Sequence, residues 1–176
     1  MSGTFKLALL QLHIRAGDRT RNLIHADELI TQATTQGADI ALLPEASDLG
    51  RTHPACLQEA DLITDGTTCR RLRKLVREDG WYILQTPFGK TWQDAYTLVA
   101  REFSVWVIGV SNVGPITAGN GKDWDCIGSS PVIGPDGTEV MQGSNGVDAE
   151  TILYVDVCTL NYRARGTGWE KHWQAV

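Results

Sequence analysis

Apolar residues along the first half of this chain follow two different rhythms. Phe5 to Leu12 (FKLALLQL) is apolar on both faces except for Lys6 near its start and Gln11 near its end. That is the pattern of a strand buried on both sides. After a turn at Ala16-Gly17-Asp18, Asp18 is placed to cap a helix running to about Gln36. Leu23, Ala26, Leu29, Ile30 and Ala33 recur there at helical spacing and make one apolar stripe. Gly37 stops the helix. Ala38 to Ala46 (ADIALLPEA) then predicts a second buried strand, Ile40–Leu43, which delivers a carboxylate where it ends. Strand, helix and strand in this order predict parallel pairing with a right-handed crossover.

Beyond this unit, small and polar residues from Ala46 to about Thr67 read as a loop. Cys69 to Asp79 predicts an amphipathic helix with Leu72, Leu75 and Val76 inward and four arginines plus Lys74 outward. Gly80 ends it, and Trp81 to Leu84 begins another strand. Gln85 to Lys90 (QTPFGK) is turn-like, and a helix follows almost at once with Trp92, Ala95, Tyr96, Val99 and Phe103 as its apolar residues. Ser104 to Val110 (SVWVIGV) predicts a strand, closed by turn chemistry at Ser111 to Pro115. A glycine-rich loop to Asp125 leads to three antiparallel strands, Cys126–Ile133, Glu139–Gln142 and Thr151–Val157. Pro135-Asp136-Gly137 joins the first two, Asp-Gly being a strong hairpin signal. From Cys158 the pattern is lost, although Trp169 and Trp173 at helical spacing suggest an interface segment. The expected organisation is one domain over residues 1–157 and a tail over 158–176.

Composition narrows the function classes. A chain of 176 residues is one domain with a sizeable core. Its net charge of -5 is spread through the sequence, without the basic footprint of a nucleic-acid binder. No apolar run approaches membrane-spanning length, and the start lacks the order of a signal peptide. The four cysteines and four histidines show no metal-ligand spacing. No GxGxxG follows the first strand and no phosphate loop is present. The expectation is a cytoplasmic protein with free thiols, no metal, no cofactor, no nucleic-acid partner and no membrane partner.

Candidate chemistry begins at Glu45. Pro44 has no amide hydrogen for a neighbouring strand, so regular pairing lapses there. Glu45 then stands at the carboxyl end of a buried strand, where open α/β sheets place ligands and catalysts. Asn112, just past another apolar strand, is expected to line the same polar pocket as a substrate-binding residue. An ordinary loop glutamate fits Glu45 as well; a generic α/β ligand-binding module is the competing reading, against which stands the lack of a GxGxxG or phosphate loop. Cys56 sits in the loop after Glu45 and reads as an inert thiol, Cys69 as a small partly buried residue.

Four collinear blocks resemble the carbon–nitrogen hydrolase family of nitrilases and aliphatic amidases. KLALLQL leads through a helix to GADIALLPEA, which looks like that family's strand ending in its catalytic glutamate. DGTTCRRLRKLVREDGWYIL looks like the helix and strand that follow. WQDAYTLVAREFSVWVIGVSNVG is similar to the family's late helix and strand. CIGSSPVIGPDGTEV followed by ETILYVDV resembles its closing hairpin and last core strand. The resemblance implies an α/β fold of the nitrilase type, an α-β-β-α sandwich. It implies hydrolysis of a non-peptide C–N bond in an amide, nitrile or carbamoyl substrate, and at least a homodimer. The chemistry implied uses a glutamate, a lysine and a cysteine. The carboxylate is the base that activates the thiol and then the acid for the departing amine, and the lysine stabilises the oxyanion. Only the glutamate maps, onto Glu45. The lysine and cysteine segments have no counterpart, as if one stretch were lost near Leu84–Gln85 and another near Lys90–Thr91. The alternative is therefore a catalytically inactive relative serving as a scaffold or dimer partner.

Overall fold

The computed structural model describes residues 3–51, 53–60, 66–75, 90–117 and 123–158. Strand β1 is Thr4–Gln11, helix α1 is Arg19–Thr35 and strand β2 is Ile40–Leu42. Asp18 caps α1 as its pattern predicts, its carboxylate accepting from the Arg21 amide at 3.1 Å. β1 and β2 pair in parallel, Leu7 opposite Ile40 and Leu9 opposite Leu42. On its other side β1 pairs antiparallel with β8, Thr151–Cys158, through eight consecutive positions from Thr4–Cys158 to Gln11–Thr151. The first sheet therefore has the order β2-β1-β8.

A short helix α2 (Ala55–Gln58), α3 (Thr67–Leu75) and α4 (Lys90–Phe103) lie between β2 and the second sheet. That sheet has the order β3-β6-β7, from Val107–Ile108, Pro131–Ile133 and Glu139–Gln142. A separate two-stranded ladder joins β4, Val113–Thr117, to β5, Asp123–Ile127. The period-two alternation of β1 explains the layers. Leu7 and Leu9 face a core shared with Leu42, Val155, Val157 and, from the second sheet, Ile108 and Val132. Ala8 and Leu10 face the other way, onto Ile30 and Ala33 of α1. α4 contacts β3 and β6 of the second sheet. The layers are thus α1, sheet, sheet, α4: the α-β-β-α sandwich of the nitrilase type.

Three local expectations change. Ser104–Val110 is not a strand throughout; only Val107 and Ile108 are laddered, in the second sheet. The Val105 amide still donates to Ala100 O, and Ser104 adopts φ 51°, so the end of α4 occupies the first residues of the apolar run. Residues 113–117 are a strand rather than a closing turn. Cys126–Ile133 is two strands broken at Gly128-Ser129, where φ is 70° and 61°. At Gly128 an added Cβ would lie 2.2 Å from Gln11 Nε2, so the break is fitted to that side chain. The Pro135-Asp136-Gly137 hairpin is as expected, with Gly134 N donating to Thr138 O at 2.8 Å. The expected strand Trp81–Leu84, most of the joins between Leu84 and Trp92, and Trp169 and Trp173 lie outside the described residues. Among the described residues no helix is long and apolar enough to cross a membrane.

Candidate active site

Parallel pairing brings the carboxyl ends of β1 and β2 to one edge of the first sheet. Chain leaves β2 through Leu43 and Pro44 into a turn over residues 45–49. Ala46 takes φ 53° there, a left-handed conformation uncommon for a residue with a Cβ. The turn is held by Gly50 N donating to Ala46 O at 2.8 Å and by the Ser47 hydroxyl donating to Pro44 O. Glu45 stands at its start with its side chain exposed. The enclosed carboxylate expected from the sequence is not what this turn presents.

Asn112 does come to Glu45, through the main chain. It is 1% exposed, and its Nδ2 donates to Glu45 O at 3.5 Å. Neighbouring bonds fix its backbone from both sheets. Val113 N donates to Leu12 O at 3.1 Å, Gly128 N donates to Asn112 O at 3.1 Å, and Ser111 N donates to Ser130 Oγ at 3.1 Å. Asn112 Oδ1 is buried and has no hydrogen-bond partner among the described residues. The side chain's orientation follows from chemistry, since only the nitrogen end can face a carbonyl.

A second polar centre supports this end of the sandwich and was only half visible in the sequence. Gln11 is fully buried. Its Nε2 donates to Ser144 O at 2.9 Å and Ala149 O at 2.6 Å, while Oε1 accepts from Ser130 N at 3.1 Å and Ser130 Oγ at 2.8 Å. Each of its polar groups is satisfied, so burial costs little and register is specified. One polar residue near the end of an apolar strand was the available signal. Two residues on, the His13 amide donates to Glu150 Oε2 at 2.6 Å, and that oxygen also lies 2.9 Å from His25 Nε2. His25 Nδ1 is 3.6 Å from Glu28 Oε2. His25 and Glu28 lie one turn apart on α1, but no sequence pattern linked them to His13 and Glu150.

The described thiols are not arranged as nucleophiles. Cys56 Sγ donates to Gly50 O, and burial, with Asp48 next in weight, pushes its thiol up from the usual value. Burial, then Asp125, does the same for Cys126. Cys69 is buried on α3, and Cys158 is exposed at the end of β8. A catalytic thiol needs its pKa lowered or a base at hand. Lys6 donates from Nζ to Gln36 O at 3.2 Å, at the opposite end of β1 from Glu45. The side chains of Lys74 and Lys90 lie outside the described residues. Among the described residues no group of three or more His, Cys, Asp or Glu is arranged to hold a metal ion.

Comparison with known proteins places these features in a family. A nitrilase from Pyrococcus abyssi is 32% identical over 82 residues, which is 45% of this chain and 31% of that protein. The chain thus matches about a third of its curated relative's length. Among solved structures, a CN-hydrolase superfamily protein from Xanthomonas campestris superposes with a TM-score of 0.69 at 13% identity, covering 98% of this chain and 96% of the other. An amidase of the nitrilase superfamily from Nesterenkonia gives 0.71 at 14% identity, covering 96% and 97%. At such identities the likeness concerns the fold. The family model for carbon-nitrogen hydrolase matches residues 6–96, from β1 through Glu45 into α4. That match takes in more than half of the sequence, and the chain belongs to the carbon-nitrogen hydrolase family.

Proposed function

We propose that this protein keeps the carboxylate end of a carbon–nitrogen hydrolase site, organised by Glu45 and Asn112, and binds small amide, nitrile or carbamoyl compounds there without hydrolysing them efficiently. The observation that carries this reading is the state of the described thiols. Cys56, the nearest to Glu45 in sequence, is engaged with Gly50 O and has its pKa raised, not lowered. A protonated thiol is a poor nucleophile. Glu45 alone supplies a general base for a proton but no atom for a covalent acyl intermediate. The protein then acts as an inactive family relative, a scaffold or partner. Its self-association would run through α4, where Leu98 and Val99 are exposed. An apolar pair of this kind is a reason to associate.

A second reading is favoured by the span of the structural likeness. Both solved structures are covered almost end to end, and in this reading the chain is an active hydrolase working through Glu45 with a lysine and a thiol. Incubation of the intact chain with a panel of short amides, nitriles and carbamoyl compounds, scored by ammonia release, separates the two. The first reading expects no release above buffer at high enzyme concentration. Sustained release, abolished by Glu45→Gln and by thiol alkylation, would establish the second. Light scattering reads the association, and a single species at the chain mass of 19.3 kDa at micromolar concentration would remove it.

A further inference from the structure

The Glu45 end of the fold holds a buried acceptor with no donor among the described residues. Asn112 is 1% exposed, and its Oδ1 has no partner among the described residues. Leaving such an atom unpaired is costly, so a native fold keeps one where something else supplies the donor. Among the described residues the same carboxamide spends its Nδ2 on a single contact to Glu45 O, which at 3.5 Å is long for a hydrogen bond. One Nδ2 hydrogen therefore remains unassigned beside the free oxygen. The group as a whole presents an acceptor and a donor side by side, the complement of another carboxamide.

The geometry points to Asn112 as an amide-recognising residue: its Oδ1 accepts from the N–H of a carboxamide or carbamoyl ligand, so the site favours these over nitriles. This rests on the reading of the Glu45 end as the ligand site and narrows its substrate class. A nitrile offers only an acceptor nitrogen and has no hydrogen to give Oδ1. A site built to pair with an N–H rejects an analogue that lacks it, because the buried group is then left unpaired. Oδ1 is screened from solvent in this structure, so a ligand reaches it when neighbouring packing loosens. The Glu45–Leu49 turn is the neighbour suited to give way. Its hydrogen bond to Asn112 is long, and Ala46 holds the left-handed conformation within it.

Three ligands of one size class test the inference on the full chain: propionamide, N,N-dimethylpropionamide and propionitrile. Each is titrated while the backbone amide signals of Ala46, Asn112 and Val113 are followed by NMR. Propionamide is expected to move all three signals and to bind about tenfold more tightly than the other two, the effect of one buried hydrogen bond. Asn112→Asp keeps an acceptor and should keep the preference for propionamide over its dimethyl form. Asn112→Leu should erase it. Equal binding of all three ligands to the natural chain overturns the inference and leaves the ligand site intact. Absence of shifts with any of the three removes the ligand site itself, and the inference with it. The comparison within the natural chain stands even where Asn112→Leu does not fold.

Discussion

The two halves of this sandwich are held in opposite ways. In the first sheet β1 is an eight-residue strand laddered along its whole length to β8, with Leu9 and Leu10 fully buried on opposite faces. Its stability is apolar and continuous. In the second sheet β3 has two residues and β6 has three, with left-handed breaks at Ser104, Gly128 and Ser129. That half is tied to the first by Gln11, whose amide replaces the ladder that the broken strands lack. A long apolar strand specifies itself from local pattern, whereas short strands need a side chain from elsewhere to fix their register. Glu45 and Asn112 meet where the two regimes join.

Removing the polar tie should cost most. Gln11→Leu fills similar volume but leaves Ala149 O, the Ser130 amide and the Ser130 hydroxyl hydrogen without Gln11 as partner, while Ser144 O keeps the Ser129 amide. At about 1–3 kcal/mol for each lost partner the sum is roughly 4 kcal/mol or more. Urea unfolding followed by tryptophan fluorescence reads the loss directly. A change under about 1 kcal/mol would mean that the loops carrying Ser130 and Ser144 are held without Gln11, and the contrast would fail.

Leu9→Ala tests the apolar half. Leu9 is fully buried in the core shared by the two sheets. Deleting it should cost about 3 kcal/mol, the usual range being 2–5 for a leucine cavity. The two substitutions sharpen the comparison when read by hydrogen exchange. Leu9→Ala should lower protection in both sheets together. Gln11→Leu should release residues 128–130 and 143–149 first, with β1 and β8 still protected.

Smaller again is the effect at Asn22, a buried residue of α1. Its Oδ1 accepts from Arg15 N at 2.8 Å, and its Nδ2 donates to Arg15 O at 2.7 Å and to Asp48 O at 2.8 Å. Asn22→Ala should cost about 2 kcal/mol and loosen the loop that follows Glu45 before it affects either sheet. Calorimetric melting gives the first quantity and exchange at Gly50 the second.

How much of this was legible follows from the same contrast. β1, α1 and its Asp18 cap, β2 and the Asp-Gly hairpin were read correctly because apolar period, capping and turn chemistry are local. The α-β-β-α layering came through a resemblance carried by four blocks. The second sheet was misread where hydrogen bonds override the apolar pattern. SVWVIGV has the composition of a seven-residue strand, yet Ala100 O captures the Val105 amide and shortens it. CIGSSPVI looks continuous, yet it breaks to receive Gln11. The site was half legible for the same reason. Glu45 follows β2, whereas Asn112 directly precedes β4 rather than closing a strand, and their contact runs through a main-chain carbonyl. No side-chain pattern encodes that.

The smallest effect lies at the hairpin between β6 and β7, and its sign can be worked out. The amide of Thr138, donating to Asp136 Oδ1 at 2.9 Å, and then its hydroxyl hold the Asp136 carboxyl below the usual aspartate value. A depressed folded pKa contributes stability above the unfolded value and loses it as pH falls through the folded value. Asp136 is fully solvated, so water and salt screen the contribution. The expected signature is therefore local. On acidification, exchange at the Thr138 amide should rise relative to Gly134 only as the Asp136 carboxyl takes up its proton, below the range of an ordinary aspartate. In Asp136→Asn the dependence should vanish, while the Gly134–Thr138 bond and the turn persist. A Thr138 amide that responds to acid identically in both proteins would show that the turn is held by Gly137 and the backbone alone. The second sheet would then owe this hairpin to local conformation, and its register would rest on Gln11 and the Ser130 hydroxyl that Gln11 and the Ser111 amide share.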